Sequence, residues 1–195
     1  MDKFNPNQNH PKKGRRIKVE PIRKPKDIRS IKQLLASRPR DHLLFVMGIN
    51  NGLRAGNLLK LRVADVAHLK PGQTATILEG KTGKENTLMV NRTVHKAIKD
   101  YLDKVRPGTG DYLFASQKGR GPLTIQAVNA MVKRWTQAID LQGNFGAQTL
   151  RMTYEFTQAE LIETEKTFWI NRLENMSVIE RKALFAAIKE VFQDP

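Results

Sequence analysis

The run Asp41-His42-Leu43-Leu44-Phe45-Val46-Met47-Gly48-Ile49-Asn50 constrains the fold more than any other segment. Wound as a helix, it presents apolar side chains in nearly every direction, so it cannot lie on a surface and must be surrounded. Gly52 ends it, because glycine takes the left-handed conformation that closes helices without a steric penalty. The flanking sequence supplies elements to surround it. Asp27 is placed to cap a helix carrying Ile28, Ile31, Leu34 and Leu35, with Pro39 closing that segment. A short helix bearing Leu58, Leu59 and Leu61 follows the glycine. Asn91 caps a helix from Arg92 whose apolar face holds Val94, Ile98, Tyr101, Leu102 and Val105, ended by Pro107, Gly108 and Gly110. Thr124 caps another, with Val128, Met131, Val132, Trp135 and Ile139 on its buried stripe.

Between these helices the period changes. Residues 74–79 and 86–90 read as strands rich in β-formers, and Gly80-Lys81-Thr82-Gly83-Lys84 is turn chemistry, which predicts a hairpin. Residues 111–116 form a short extended piece, and 117–122 a basic, glycine-bearing loop. Helical character resumes near Gln148. Further on, Leu161, Phe168, Trp169, Leu173 and Met176, then Ile179, Leu184, Phe185, Ile188 and Phe192, predict two amphipathic helices that bury one face. Helices, a small antiparallel sheet and more helices predict a mainly helical α+β fold.

Charge divides the chain into three. The 195 residues carry a formal net charge of +15, which points to a polyanionic partner, nucleic acid above all. Residues 1–26 hold nine Lys/Arg and two acids, including the cluster Lys12, Lys13, Arg15, Arg16 and Lys18, and four prolines; they read as a flexible basic arm. Residues 155–195 hold five Lys/Arg against eight acids, a net of −3, and read as a separate helical segment. Residues 27–154 between them form the expected globular domain. With no cysteine, disulfides, thiolate metal sites and a cysteine nucleophile are excluded. No apolar run is long enough to span a bilayer, and the polar N-terminus has no signal segment. The expectation is a cytoplasmic protein without cofactor or metal.

Three cations sit at junctions between elements, where a side chain is exposed yet held by rigid structure. Arg54 follows Asn51-Gly52-Leu53, Lys81 occupies the hairpin tip, and Arg151 opens the helix after a glycine-bearing loop. Each alone is an ordinary surface charge. Their order is not ordinary. Asn51-Gly52-Leu53-Arg54, with Asn57, the leucines 58 and 59 and Asp65 beyond, resembles the first arginine box of the tyrosine recombinases, the phage integrase family. Glu79-Gly80-Lys81-Thr82-Gly83-Lys84 resembles that family's lysine hairpin, Asp111-Tyr112-Leu113-Phe114 its middle, and Gln148-Thr149-Leu150-Arg151-Met152-Thr153 its second arginine box. The resemblance covers residues 22–154.

The resemblance implies a catalytic-domain fold, double-stranded DNA as partner, and a reaction needing no metal or cofactor. It implies that Arg54 and Arg151 clamp the scissile phosphate, that Lys81 protonates the leaving 5′ oxygen, and that a tyrosine attacks phosphorus to give a 3′-phosphotyrosine. Lys12, Lys13, Arg15, Arg16, Lys84, Lys118 and Arg120 are the expected DNA-backbone contacts. The family's final helix docks on a neighbouring protomer, so a homo-oligomer through the C-terminal helices is also implied.

The departures are equally specific. Gln148 stands where the family has a histidine, and an amide cannot exchange a proton near neutral pH. Asn57 replaces an acidic residue. After Thr153 the family's histidine segment and tyrosine are missing; Trp169 falls near the second histidine's place, which some members fill with tryptophan, but at short spacing, Phe185 falls near the tyrosine's with the ring and no hydroxyl, both also read as apolar packing residues, and residues 155–195 contain no tyrosine. Tyr154 is the one tyrosine close to the second box, at a position where the family keeps a packing aromatic. Nor do the first twenty-six residues amount to the separate N-terminal domain that completes the family's clamp on DNA. The expectation is an integrase-like DNA-binding protein unable to cleave DNA alone. The alternatives are an active recombinase with a non-standard or trans-donated nucleophile, and a non-catalytic basic nucleic-acid-binding or assembly module.

Overall fold

A computed structural model describes residues 19–78, 85–117, 119 and 121–192. Eight helices and one hairpin run in the order α1 (Pro25–Leu34), α2 (Pro39–Asn51), α3 (Ala55–Leu58), α4 (Val63–Val66), β1 (Thr74–Leu78), β2 (Glu85–Met89), α5 (Arg92–Val105), α6 (Ile125–Gln137), α7 (Ala147–Glu174) and α8 (Val178–Phe192) among the described residues. This is the mainly helical fold with a small antiparallel sheet that the periodicity predicts. The chain divides into two compact units, 1–156 and 157–195.

In the first unit α2 is the central helix, as its all-round apolar pattern requires. Leu43, Leu44, Phe45, Val46 and Met47 have no exposed surface. α1, α3, α5 and β2 pack against it, Trp135 of α6 meets Phe45 edge to face at 6.0 Å, and Leu150 of α7 lies on Gly48. Asn91 and Thr124 cap α5 and α6 as expected, accepting from the backbone N–H of Val94 at 2.8 Å and of Ala127 at 3.1 Å. β1 and β2 pair antiparallel with Thr74 opposite Met89 and Leu78 opposite Glu85. The tip of this hairpin, with Lys81 and Lys84, lies outside the described residues, as do Lys12, Lys13, Arg15, Arg16, Lys118 and Arg120.

Several expectations need correction. Asp27 does not cap α1; the helix starts at Pro25, and Asp27 sits in its first turn. Proline suits the first helical position, where its missing N–H would have no intrahelical partner. For the same reason Pro39 opens α2 besides ending what precedes it. The arm does not run free to residue 26. Glu20 N–H donates to the Asn144 carbonyl at 2.9 Å, and the buried Ile22 donates its N–H to Thr153 Oγ1 at 2.9 Å. Val105 is exposed rather than on the buried face of α5. A further helix, α4, lies where the periodicity predicts none. Asp65 makes it by accepting from the Arg62 N–H at 2.7 Å, one half of a capping box.

The second unit departs most. The helix beginning near Gln148 does not stop before Leu161 but continues to Glu174 as one helix of 28 residues. Ser177 and Glu180 then form a reciprocal cap for α8: Ser177 N–H donates to Glu180 Oε2 at 2.8 Å, and Glu180 N–H to Ser177 Oγ at 3.3 Å. The expected buried face is not buried. Leu161, Phe168, Trp169, Ile179 and Phe185 are exposed, and only Leu173, Met176 and Leu184 reach half-burial among the residues of this unit whose side chains are described.

Candidate phosphate-binding site

The turn after α2 is built for display. Gly52 closes the helix in the left-handed conformation at φ 59°, Leu53 anchors the turn in the core, and Arg54 emerges exposed as the N-cap of α3. The Arg54 carbonyl accepts from Asn57 N–H at 2.8 Å, so the arginine stands on an ordered backbone. Two asparagines fix the turn to its surroundings. Asn51 Oδ1 accepts from Met89 N–H of β2 at 2.7 Å, while its Nδ2 donates to the Met47 carbonyl. Asn50 Oδ1 accepts from Asn91 Nδ2 at 2.9 Å, the residue that caps α5. The base of the hairpin, the start of α5 and the arginine turn are therefore one hydrogen-bonded assembly.

The first turns of α7 form the opposing wall. Asn129 of α6 accepts the Ala147 N–H at 2.6 Å, and Thr149 Oγ1 accepts the Gly146 N–H at 3.0 Å, so two N–H groups at the helix start find acceptors within the protein. Thr149, Leu150 and Thr153 point inward and are buried. Gln148 and Arg151, three residues apart, share the outward face, Gln148 exposed and Arg151 half-exposed.

Two glycines one turn apart let these walls meet. A Cβ on Gly48 would lie 2.8 Å from Leu150, and one on Gly52 would lie 2.6 Å from Cδ1 of Tyr154. Only hydrogen at both positions allows α7 to approach α2 so closely. The contact sets the segment 148–154 beside Gly52-Leu53-Arg54, so the two arginine-bearing segments, ninety-seven residues apart in sequence (151 − 54), adjoin in the fold.

Arg151 has a competitor for its charge. Its Nε donates to Glu155 Oε1 at 2.7 Å, an i,i+4 pair with side chains 37% and 51% exposed. The terminal nitrogens of the guanidinium remain the donors that suit an oxyanion. The i,i+4 spacing of Arg151 and Glu155 and the four-residue spacing of Gly48 and Gly52 are both visible in the sequence.

The remaining candidates separate clearly. Tyr154 is half-buried with its ring on Gly52, next to the arginine turn. Tyr101 is buried, and that burial pushes its hydroxyl pKa up. Tyr112 lies under the Arg62 guanidinium, 4.4 Å from it. Asn57, at the acidic position of the first box, is buried in α3, and Asp65 serves as the cap of α4. Trp169 and Phe185 belong to the second unit and are exposed.

Comparison with known proteins locates this architecture. Residues 24–160 match the Phage integrase family. The Probable integrase/recombinase YoeC of Bacillus subtilis (strain 168) is 32% identical over 139 residues, which cover 71% of this chain and 74% of that protein. Among solved structures, XerA recombinase superposes with a TM-score of 0.57 at 20% identity, over 71% of this chain and 50% of that one. XerH site-specific recombinase bound to difH substrate, in a pre-cleavage complex, gives 0.55 at 27% identity, over 66% of this chain and 38% of that one. The chain thus spans half or less of these two recombinases. The family match ends at residue 160, inside α7 and close to the boundary between the two units.

Proposed function

The chain belongs to the phage integrase family, and from that premise we propose that it binds double-stranded DNA through a phosphate clamp of Arg54 and Arg151 and does not cleave the strand by itself. The observation that carries the reading is the glycine-mediated contact of α7 with α2, which brings the two arginine-bearing segments side by side. A phosphate between two planar guanidinium groups receives paired hydrogen bonds that a lysine ammonium cannot match. Gln148, on the face of Arg151, donates its amide N–H to a non-bridging oxygen. Lys81, by family resemblance, serves the leaving 5′ oxygen. The net charge of +15 and the likeness to a site-specific recombinase solved with its difH substrate support duplex DNA as the partner.

Transfer to protein requires a hydroxyl in line with the leaving oxygen. Of the three tyrosines, Tyr101 is buried and Tyr112 is covered by Arg62. Tyr154 is packed on Gly52. Past Thr153, α7 runs unbroken for twenty-one residues (174 − 153) where the family resemblance calls for a histidine segment. Gln148 offers no proton exchange. The clamp therefore binds and polarises a phosphate without attacking it.

The test uses a mixed-sequence duplex and a nicked suicide substrate. Affinity should fall steeply with salt, and Arg54→Ala or Arg151→Ala should each weaken binding about tenfold or more, the worth of a charge-assisted hydrogen bond. Arg92→Ala, at the exposed start of α5, should cost far less. No slow-migrating adduct should appear on a denaturing gel. Equal losses at Arg54 and Arg92 would reduce the clamp to generic charge. An adduct lost in Tyr154→Phe would make Tyr154 the nucleophile and the protein an active recombinase.

A further inference from the structure

In the first unit, α1, α2 and α5 leave a concave cleft between them, with a volume of about 300 Å³. α2 contributes Pro39, His42 and Val46, which share one face of its N-terminal half at spacings of three and four. α5 packs along α2 and turns Lys96, Asp100 and Lys104 toward the cleft, with Thr93 and Ala97. Lys32 near the end of α1, and Ala36 just beyond it, close the third side. The cleft is distinct from the arginine turn. His42 lies nine residues (51 − 42), about 14 Å of helix rise, before the end of α2 from which Arg54 follows.

Positive charge is concentrated here without compensation. Lys32, Lys96 and Lys104 line the cleft against the single carboxylate of Asp100, a formal +2 (3 − 1) while His42 is neutral. Asp100 has Lys96 and Lys104 one helical turn to either side, yet none of these groups enters an ion pair among the described residues. Arg40 and Asp41, beside His42 in sequence, are engaged with each other at 2.8 Å, and Arg40 also donates to the Ala115 carbonyl. Neither supplies the cleft with a counter-charge. Lys32 and His42 are half-buried. Burial lowers the Lys32 pKa, and His42 is lowered first by burial and then by Lys32, with Asp100 opposing and Lys104 and Lys96 adding. Cations gathered in a recess repel one another, and an anion that enters relieves both that repulsion and the cost of their burial.

Size and lining define the class of anion. The volume equals about ten waters and lies at the small end of ligand sites, roughly 300–1,000 Å³. An inorganic phosphate leaves most of it unfilled. The floor is apolar, with Val46 and Ala97 buried, whereas Lys96 and Lys104 stand exposed at the rim on stems long enough to reach over a head group. A DNA duplex presents its phosphates on a broad convex surface and brings no apolar group to that floor.

We propose that the cleft between α1, α2 and α5 binds a small organic phosphate, its dianionic head held by Lys32, Lys96 and Lys104 and its apolar body seated on Val46 and Ala97. Asp100 limits the affinity, since it opposes the head group. His42 reports occupancy. A bound dianion offsets the lysines that keep the imidazole neutral, so the His42 pKa rises on binding.

The test is nuclear magnetic resonance of the full chain at low salt and about pH 7.5, where a phosphate monoester is mostly dianionic. The probes are phenyl phosphate, inorganic phosphate and phenol. Phenyl phosphate should move the His42 ring signals saturably and raise their titration midpoint. His68 and His95, which do not line the cleft, should stay where they are. Inorganic phosphate should bind about tenfold more weakly, for want of an apolar body, and phenol should not bind. Lys32→Met keeps the stem and drops the charge, and should weaken phenyl phosphate about tenfold. Its melting temperature should not fall, because a half-buried unpaired charge has gone. Asp100→Asn should tighten binding about two- to fivefold. Arg54→Ala should leave the His42 response intact, which separates this site from the phosphate clamp. The proposal is overturned by an absent or unsaturable His42 shift, by equal affinity for phosphate and phenyl phosphate, or by Lys32→Met without effect. A His42 shift produced by a short duplex in preference to phenyl phosphate would overturn it too, and would make the cleft a DNA-backbone contact.

Discussion

Adding one methyl group to Gly52 tests how the site is built. Two costs can be separated in Gly52→Ala. The residue sits at φ 59°, where an L side chain pays roughly 1–2 kcal/mol. The new Cβ would also stand 2.6 Å from Cδ1 and 2.7 Å from Cε1 of Tyr154, mid-ring atoms that move only if the whole ring moves. Overpacking of that kind costs about 1–3 kcal/mol, so the substitution should destabilise by about 2–5 kcal/mol in all. Urea unfolding of four proteins closes a cycle: wild type, Gly52→Ala, Tyr154→Ala and the double variant. With the ring gone only the backbone cost remains, so Gly52→Ala should cost about 1–2 kcal/mol in the Tyr154→Ala background. The difference is the coupling between α2 and α7. DNA affinity should follow, because moving the ring shifts Arg54 relative to Arg151. An equal cost of Gly52→Ala in both backgrounds would refute the contact, and with it the argument that two glycines set the arginine segments together.

Other outcomes follow from the same geometry. Glu155→Gln should raise affinity for duplex DNA about two- to fivefold, the worth of a solvent-screened pair, because Arg151 no longer divides its charge; gel-shift or anisotropy titration at low salt reads it. Asn129→Ala removes the acceptor for the Ala147 N–H and should cost about 1 kcal/mol in urea unfolding, with weaker DNA binding since α7 carries Arg151. His42 is held below its ordinary pKa of 6.5, first by burial and then by Lys32, with Lys104 and Lys96 adding and Asp100 opposing. The folded state therefore prefers the neutral imidazole. That stability is complete above the ordinary value and is lost as pH falls from there through the folded pKa, where the unfolded chain binds the proton first. His42→Gln should flatten the fall in melting temperature below about pH 6.5 relative to wild type; identical pH profiles would exclude the effect.

The sequence by itself determined the local grammar of this protein. The all-round apolar 41–50 could only be a central helix, Gly52 could only end it cheaply, and Asn91 and Thr124 capped the helices their side chains announced. These are properties of neighbours a few residues apart, and periodicity reads them directly. The order of the arginine boxes was legible for the same reason. What tertiary structure alone decided is which of those pieces touch. Nothing within Gly48 or Gly52 says that Leu150 and Tyr154 will fill the space their missing side chains leave. Nor does the sequence of Ile22 say that its N–H will find Thr153 across 131 residues. Those contacts depend on how helices stack, and stacking is set by the sum of many buried surfaces. The C-terminal unit shows the converse. Its apolar periodicity correctly announced helices, but a stripe of leucine and phenylalanine is the same pattern whether it faces its own core or another chain. Burial is a relation between surfaces, and there the fold of one chain left the stripe open.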